Sequence, residues 1–314
     1  MQSSRDIKRR IRSVKNIAQI TKAMEVVSMN KMRRSQLFAL AARPYALASL
    51  DMLRNILSLS DKKHLPSLLK QRKVECSLVV VIATDKGLVG GFNDAVFHLA
   101  EKRIKNLTEK NSKKNSPELI TVGKKAKEYF ERHGIKPAFH FEQYGDFTTF
   151  QNTKPVADAA LAGYEEKKWD EVYVVYTHFK TTLKQQAVER KLLPTSEKEL
   201  SLLMQEIIPE YGRYSEALKE KAKLKTHYNY SYTFEPSASS MLQGLVSTIL
   251  HIAMHHIMLE SNASEHSARM VTMKNASDNA TDLEDSLTLE FNKVRQAGIT
   301  AEISEIVAGA EALQ

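Results

Sequence analysis

His251 and His255 stand four residues apart with His256 beside them, and on a helix that spacing can offer two imidazoles to one metal ion. No glutamate follows His251 in the H-E-x-x-H order of a zinc-activated hydrolase, and only Glu260 and His266 lie close enough to add ligands, so a metal centre is not expected. A second candidate is the turn Asp85-Lys86-Gly87-Leu88-Val89-Gly90-Gly91-Phe92-Asn93, which follows an apolar run as phosphate-binding loops do. Its glycines match neither G-x-x-x-x-G-K-[ST] nor G-x-G-x-x-G, the arrangements that converge backbone amides on a phosphate, and a tight turn that lets the backbone approach a neighbour is the better reading. Cys76 stands alone, which excludes an internal disulfide and a cysteine metal site; it reads as a small buried hydrophobe in a chain suited to a reducing compartment. No Ser, His and Asp set stands out, so the sequence offers no catalytic residue, cofactor-binding residue or metal ligand set.

The elements that would position any such residues are dominated by the two chain ends. Ser237–Gln314 follow Pro236 and contain no proline, and as one helix they would reach roughly 115 Å. Leu245, Ile249, Ile252 and Leu259, then Met270, Met273, Ala276, Ala280, Leu283 and Leu287, recur at threes and fours, the seam of a coiled coil. Ile299, Ile303, Ile306, Ala310 and Leu313 continue that pattern. At the other end residues 1–43 also lack proline, and Ile7, Ile11, Val14, Ile17, Ile20, Met24 and Val27 mark one face. Two such helices bracketing a compact middle are expected to pair antiparallel, the C-terminal one projecting past its partner.

The formal charge is +9, and residues 1–34 carry ten basic side chains against Asp6 and Glu25, so nearly the whole excess sits on the first helix. A basic stripe of this kind expects an acidic neighbour. Nucleic acid is one candidate, in a coiled-coil nucleic-acid-binding protein, but no aromatic residue interleaves the first 34 positions to stack on bases. No run of 18 apolar residues occurs, so no membrane span is expected. The Arg-rich start lacks the apolar core of a secretory signal, and Asp6 with the heptad continuation assigns it to the folded shaft rather than to a presequence.

Between the ends the period changes. Ser77–Thr84 is a continuous apolar, β-branched run, the mark of a strand buried on both faces, and Asp94–Lys110 reads as the helix after it. Glu118–Val122, Pro137–Phe141 and Glu171–Phe179 read as further strands, Lys124–His133 and Thr153–Lys168 as helices, and Lys184–Leu193 and Thr226–Phe234 as edge strands. Residues 196–224 read as a charged helical insertion. The fold class expected is therefore α/β plus a long antiparallel α-helical coiled coil: residues 1–59 the N-terminal helix, 60–73 a linker, 74–236 a small Rossmann-like α/β domain, and 237–314 the C-terminal helix.

Three stretches carry a family resemblance. IKRRIRSVKNIAQITKAMEVVSMNKMRRSQ, TDKGLVGGFN and the C-terminal ESNASEHSARMVTMKNASDNATDLEDSLTLEFNKVRQAGITAEISEIVAGAEAL resemble, in that order, the gamma subunits of F-type ATP synthases. EVYVVYTHFKTTLKQQAVERKLLP and YTFEPSASSM are similar to the family as well. The chain departs at Val89, where many members carry cysteine, and at Thr84, where serine is usual; the cysteine pair of the chloroplast redox switch is absent. The resemblance implies that the terminal helices are the rotor shaft of a central stalk inside a ring of alpha and beta subunits. The α/β domain would then sit beside the epsilon subunit and the membrane c-ring, peripheral to the cytoplasmic face of a bacterial membrane. It implies no catalytic site of its own and no cofactor, with Arg269, Arg295, Gln296 and Thr300, and Met24, Lys8, Arg9 and Arg33 on the opposing helix, as the contacts that couple rotor to beta subunit. Ile299, Ile303, Ile306, Val307, Ala310 and Leu313 would form an apolar bearing tip. A second alternative, an enzyme binding nucleotide in the α/β domain, rests on the glycine-rich turn alone.

Overall fold

The computed structural model describes residues 4–41, seven positions between 44 and 56, residues 66–110, 116–144, 148–196, 199 and 238–311. Apart from Ser196 and Glu199, the expected insertion at 196–224 lies outside the described residues, as do the strand at Thr226–Phe234 and Leu313. In chain order the elements are α1 (Ser4–Ala41), a short 3-10 turn (Ser67–Leu69), β1 (Ser77–Ile82), α2 (Phe92–Lys110), β2 (Glu118–Val122), α3 (Lys124–Arg132), β3 (Phe139–Phe141), α4 (Phe150–Glu165), β4 (Glu171–Thr181), β5 (Lys184–Leu193) and α5 (Ala238–Glu311).

The chain divides into two compact units, residues 30–268 and residues 1–29 with 269–314. The sequence pattern places the boundary at 236/237 instead. The difference arises because the first 30 residues of α5 are spent on the sheet: Leu242, Val246, Ile249, Ala253, Met254, Ile257 and Met258 are buried in the core of the larger unit. Within residues 240–308 α5 also contains a window apolar enough by hydropathy to cross a membrane, yet 67% of that window is buried inside the protein, as a core helix would be.

In the larger unit a five-stranded sheet runs in the order β3-β2-β1-β4-β5. β1 pairs in parallel with β2 and β4, Val80 lying opposite Ile120 on one side and Val174 on the other. A strand flanked on both edges and covered on both faces has no exposed position, and all six residues of β1 are buried. Alternation divides its side chains: Leu78, Val80 and Ile82 face α4 and α5, while Val79 and Val81 face Val96, Phe97 and Ala100 of α2 and Phe130 of α3. β5 returns antiparallel to β4 through a two-residue turn.

Two polar devices fix this core. Asp170 accepts the backbone N–H of Glu75 and Cys76 at 2.9 and 3.1 Å and pairs with Arg72, whose guanidinium lies over the Tyr164 ring at 4.1 Å. Burial alone would raise the Asp170 carboxyl, but those amides and Arg72 outweigh it and hold it below the usual carboxylate range. Cys76, just before β1, is half-buried rather than buried, and burial pushes its thiol up. Trp169, the single tryptophan, lies flat against α4 and donates its indole N–H to the Ala160 oxygen at 2.9 Å. Gly163 makes that possible, since a Cβ there would sit 2.0 Å from the indole ring.

The smaller unit is a helix pair. Along α1, burial falls on Ser4, Ile7, Ile11, Val14, Ala18, Thr21, Glu25 and Ser28, alternating steps of three and four without a break. Along α5 it falls on Met273, Ser277, Ala280, Glu284, Leu287, Phe291 and Val294 in the same way. Lys15 meets Glu284 at 3.9 Å and the Ser277 hydroxyl reaches the Ala18 oxygen at 3.4 Å, so the two run antiparallel. Ile17, Ile20 and Val27, expected in this seam, are exposed, Ile20 at 59%. Successive steps of three from Val14 rotate the face backwards by about 60° each, which carries those residues off the seam. Leu283 is likewise 45% exposed, and Glu284 takes the seam position.

Candidate functional site

The outward surface of the helix pair is built by what the seam leaves over. From Arg295 to Ala308 every residue of α5 is exposed. Val294 is the last half-buried one, as follows from an antiparallel partner whose described helix begins at Ser4. On this unaccompanied length Ile299, Ile303, Ile306 and Val307 recur on one face, Ile306 at 71% exposure. The side chain of Ala310 lies outside the described residues. Helix propensity gives no reason for β-branched apolar side chains in water; a contiguous exposed set marks a surface that another molecule covers. Arg295, Gln296 and Thr300 are exposed immediately before it, the Thr300 hydroxyl returning to the Gln296 oxygen at 2.9 Å.

The other expected contact residues fall into two groups. Lys8, Arg9 and Arg33 are exposed, Arg9 paired with Asp6 at 3.2 Å. Met24 is half-buried, and Arg269 is only 7% exposed and therefore presents almost no surface. The outward stripe of Ile17, Ile20 and Val27, which apolar spacing alone assigns to the seam, adds apolar area to the exposed side of α1.

The glycine-rich turn does something other than bind phosphate. Asn93 clasps Thr84, its Oδ1 accepting the Thr84 N–H at 3.2 Å and its Nδ2 donating to Oγ1 at 2.9 Å. Leu88 and Gly90 both take left-handed backbone (φ 65° and 60°), whereas Gly87 and Gly91 have open space where a Cβ would go, so the turn needs its sharpness more than a close approach to a neighbour. Asp85, which no sequence motif singles out, accepts backbone N–H groups from Lys124, Gln143 and Tyr144 at 3.0, 2.9 and 3.2 Å and so ties together the loops after β1, β2 and β3. The crevice at the carboxyl ends of these strands is where open α/β sheets hold ligands. Here Met258, Ser261, Asn262 and Glu265 of α5 fill it, leaving a cavity of about 20 Å³, room for one water molecule and far below the several hundred Å³ of a nucleotide pocket.

The histidines of α5 turn to separate partners. His251 places Nε2 2.7 Å from Asp158 and His255 places Nδ1 3.0 Å from the Thr153 hydroxyl. His178 of β4 and His256 flank Glu260 at 3.1 and 3.4 Å. Burial would raise the Glu260 carboxyl, but the two imidazoles outweigh it and hold it down at about 2; burial, with His256 adding, pushes His255 down to about 4. No group of three or more ligand-type side chains able to hold a metal occurs among the described residues.

A family model described as ATP synthase matches residues 3–313. An ATP synthase gamma chain from Chloroflexus aurantiacus is 38% identical over 315 residues, spanning 100% of this chain and 99% of its own. This chain belongs to the ATP synthase gamma-chain family. A Pelotomaculum thermopropionicum gamma chain is 39% identical with full coverage of both, and a gamma chain from Acetobacterium woodii described as sodium ion specific is 36% identical over 98% of each. Among solved structures, a chain of the Euglena gracilis mitochondrial ATP synthase, in an OSCP, F1 and c-ring assembly, aligns with a TM-score of 0.61 over 99% of this chain and 94% of its own at 19% identity, which establishes the shared fold. Gamma-chain membership accounts for why a helix pair rather than a pocket carries the exposed chemistry.

Proposed function

We propose that this gamma chain is the central-stalk rotor of an ATP synthase, coupling ion flow through a membrane c-ring to ATP synthesis and hydrolysis at catalytic sites on beta subunits. The observation that carries the reading is the unaccompanied end of α5, where Ile299, Ile303, Ile306 and Val307 stand in the open with Arg295, Gln296 and Thr300 beside them. An apolar tip with few long side chains suits a bearing enclosed by a ring of alpha and beta subunits. The α/β domain, beside an epsilon subunit, meets the c-ring. The chain is peripheral to the cytoplasmic face of a bacterial membrane and contributes no catalytic residue and no cofactor. The filled crevice of its sheet supports that last reading.

Mechanism follows from asymmetry. A two-helix shaft presents a different face to each of three chemically identical sites, so turning it changes their nucleotide affinities in sequence. Switching one site from 1:99 to 99:1 takes about 5.5 kcal/mol of differential contact. About two to four charge-assisted hydrogen bonds at about 1.5–3 kcal/mol each reach that sum. Arg295, Gln296 and Thr300, with Lys8, Arg9 and Arg33, supply those donors from the exposed surface, and Met24 and Arg269 are the two coupling positions that stand less exposed. Nothing in the full-length match to gamma chains favours the nucleic-acid reading of the basic helix.

Replacing Arg295 and Gln296 together by alanine in the assembled complex tests the assignment. Proton-driven ATP synthesis in membrane vesicles falls while the amount of assembled complex is maintained; unchanged synthesis would refute these residues as coupling contacts. The chain purified free of alpha and beta subunits is expected to show no nucleotide turnover, and robust turnover would refute the non-catalytic reading.

A further inference from the structure

A rotor must not let its shaft helix spin within its own foot, and apolar packing, being non-directional, resists such spinning poorly. The segment of α5 that lies on the sheet is not wholly apolar. Between His251 and Ser267 several side chains make directional bonds to other elements of the same compact unit, and six of them fall into two sets by their positions on the helix. His251 to Asp158 (2.7 Å), His255 to Thr153 (3.0 Å) and Asn262 to Thr148 (3.0 Å) all reach α4 and the residues that begin it. At 3.6 residues per turn these three lie within about 40° of one another. Glu260 to His178 (3.1 Å), Ser264 to the Thr177 oxygen (3.2 Å) and Ser267 to the Thr182 oxygen (2.6 Å) all reach β4 and its hairpin, where Gln185 also donates to Ser267 (3.2 Å). These lie within about 60° of one another, roughly opposite the first set and about two turns further along the axis.

We infer that these two opposed sets form a torsional clamp through which torque passes between the α/β domain and α5, with Thr148, Thr153, Asp158, Ser264 and Ser267 as its positioning residues. The inference rests on the rotor reading. Bonds on one face alone would leave the helix free to roll about that line of contact. Bonds on opposite faces, offset along the axis, oppose rotation in either direction and rocking as well. The composition of the segment suits a clamp, because Ser264 and Ser267 are short enough to bring the helix backbone against β4 and bond its carbonyl oxygens, which a leucine there could not do. Buried polar groups are retained at a cost unless they find partners, and each of these six side chains makes at least one such bond, Asn262 through its Nδ2.

The test uses the complete ATP synthase in inverted membrane vesicles and reads ion pumping per ATP hydrolysed. Thr148→Val, Thr153→Val and Asp158→Ala together release the α4 side, and Ser264→Ala with Ser267→Ala loosens the β4 side, without a large change in volume. Either set alone lowers the ratio by less than about two-fold, and both together lower it by more than the product of the two, because sites that share one mechanical element couple non-additively. A merely structural role reduces assembled complex, hydrolysis and pumping in the same proportion; an unchanged ratio in the combined variant overturns the clamp. If the combined variant does not assemble, Ser267→Ala with Gln185→Leu, at the half-exposed end, lowers the ratio measurably, and an unaltered ratio there overturns it equally. Failure of the rotor reading itself is distinct: unsubstituted vesicles lacking this chain would still pump in step with hydrolysis.

Discussion

The Ser277 hydroxyl donates to the backbone oxygen of Ala18 on the opposing helix at 3.4 Å. A side chain of two heavy atoms can reach a partner backbone only where the two helices approach closely, and the seam around it is accordingly small: Ala18, Thr21, Ser28 and Ala280 occupy positions where coiled coils elsewhere carry leucine. Close approach makes the pair a slender shaft, and it also makes the seam intolerant of bulk.

Ala18→Leu is therefore expected to destabilise the helix pair by about 1–3 kcal/mol through overpacking, although leucine is nearly as good a helix former and more apolar. Thermal unfolding followed by circular dichroism checks this. A variant as stable as the parent would mean the helices can separate at this level without loss.

Gly163→Ala places a methyl group 2.0 Å from the Trp169 ring and forces the indole from its seat against α4. A loss on the order of 3 kcal/mol is expected, together with loss of the indole bond to Ala160. Because Trp169 is the single tryptophan, the shift of its fluorescence toward longer wavelength reports the displacement directly. Unaltered emission and stability would show that the ring has another resting place.

The parts of this architecture that depend on strand period are legible in the sequence. Residues 118–122 and 184–193 read as strands to the residue, the first because a continuous apolar run has sharp flanks. The seam is not, because large apolar side chains on α1 lead the eye in steps of three, whereas the pairing face keeps strict heptad phase and fills it with alanine, serine and threonine. A search for phase regardless of size finds Ala18, Thr21 and Ser28. Asp85 and the bonds of Ser264 and Ser267 are not legible either, because their partners lie 39 to 59 and more than 80 residues away and are mostly backbone atoms, which any sequence supplies.

The buried His255 and Glu260 set the acid limit of the α/β domain. His255 titrates near 6.5 when unfolded and at about 4 when folded, so the folded state prefers it neutral; its contribution is complete above pH 6.5 and lost as pH falls toward 4. Glu260, lowered from 4.5 to about 2, contributes above pH 4.5 and loses that contribution as pH falls toward 2. Stability should therefore decline in two stages on acidification. His255→Gln removes the first, flattening the profile between pH 6.5 and 4 by on the order of 2 kcal/mol relative to its own value at pH 7. Denaturant titrations at a series of pH values measure it, and an undiminished slope in that variant would assign the first stage to another group.

The two apolar rows of α1 should separate cleanly by experiment. Ile7 is fully buried in the seam, so Ile7→Ala is expected to cost about 2–4 kcal/mol from lost burial and the cavity left behind. Ile20 is 59% exposed on the outward row, and Ile20→Ala should change the stability of the chain by no more than about 0.5 kcal/mol. In the assembled complex the order reverses in kind: the outward row is the one a partner subunit can touch, so Ile20→Ala weakens association or coupling at unchanged chain stability, while Ile7→Ala acts through the fold. Equal losses of stability for the two would place Ile20 in the seam after all, and would restore the steps of three as the true pairing face.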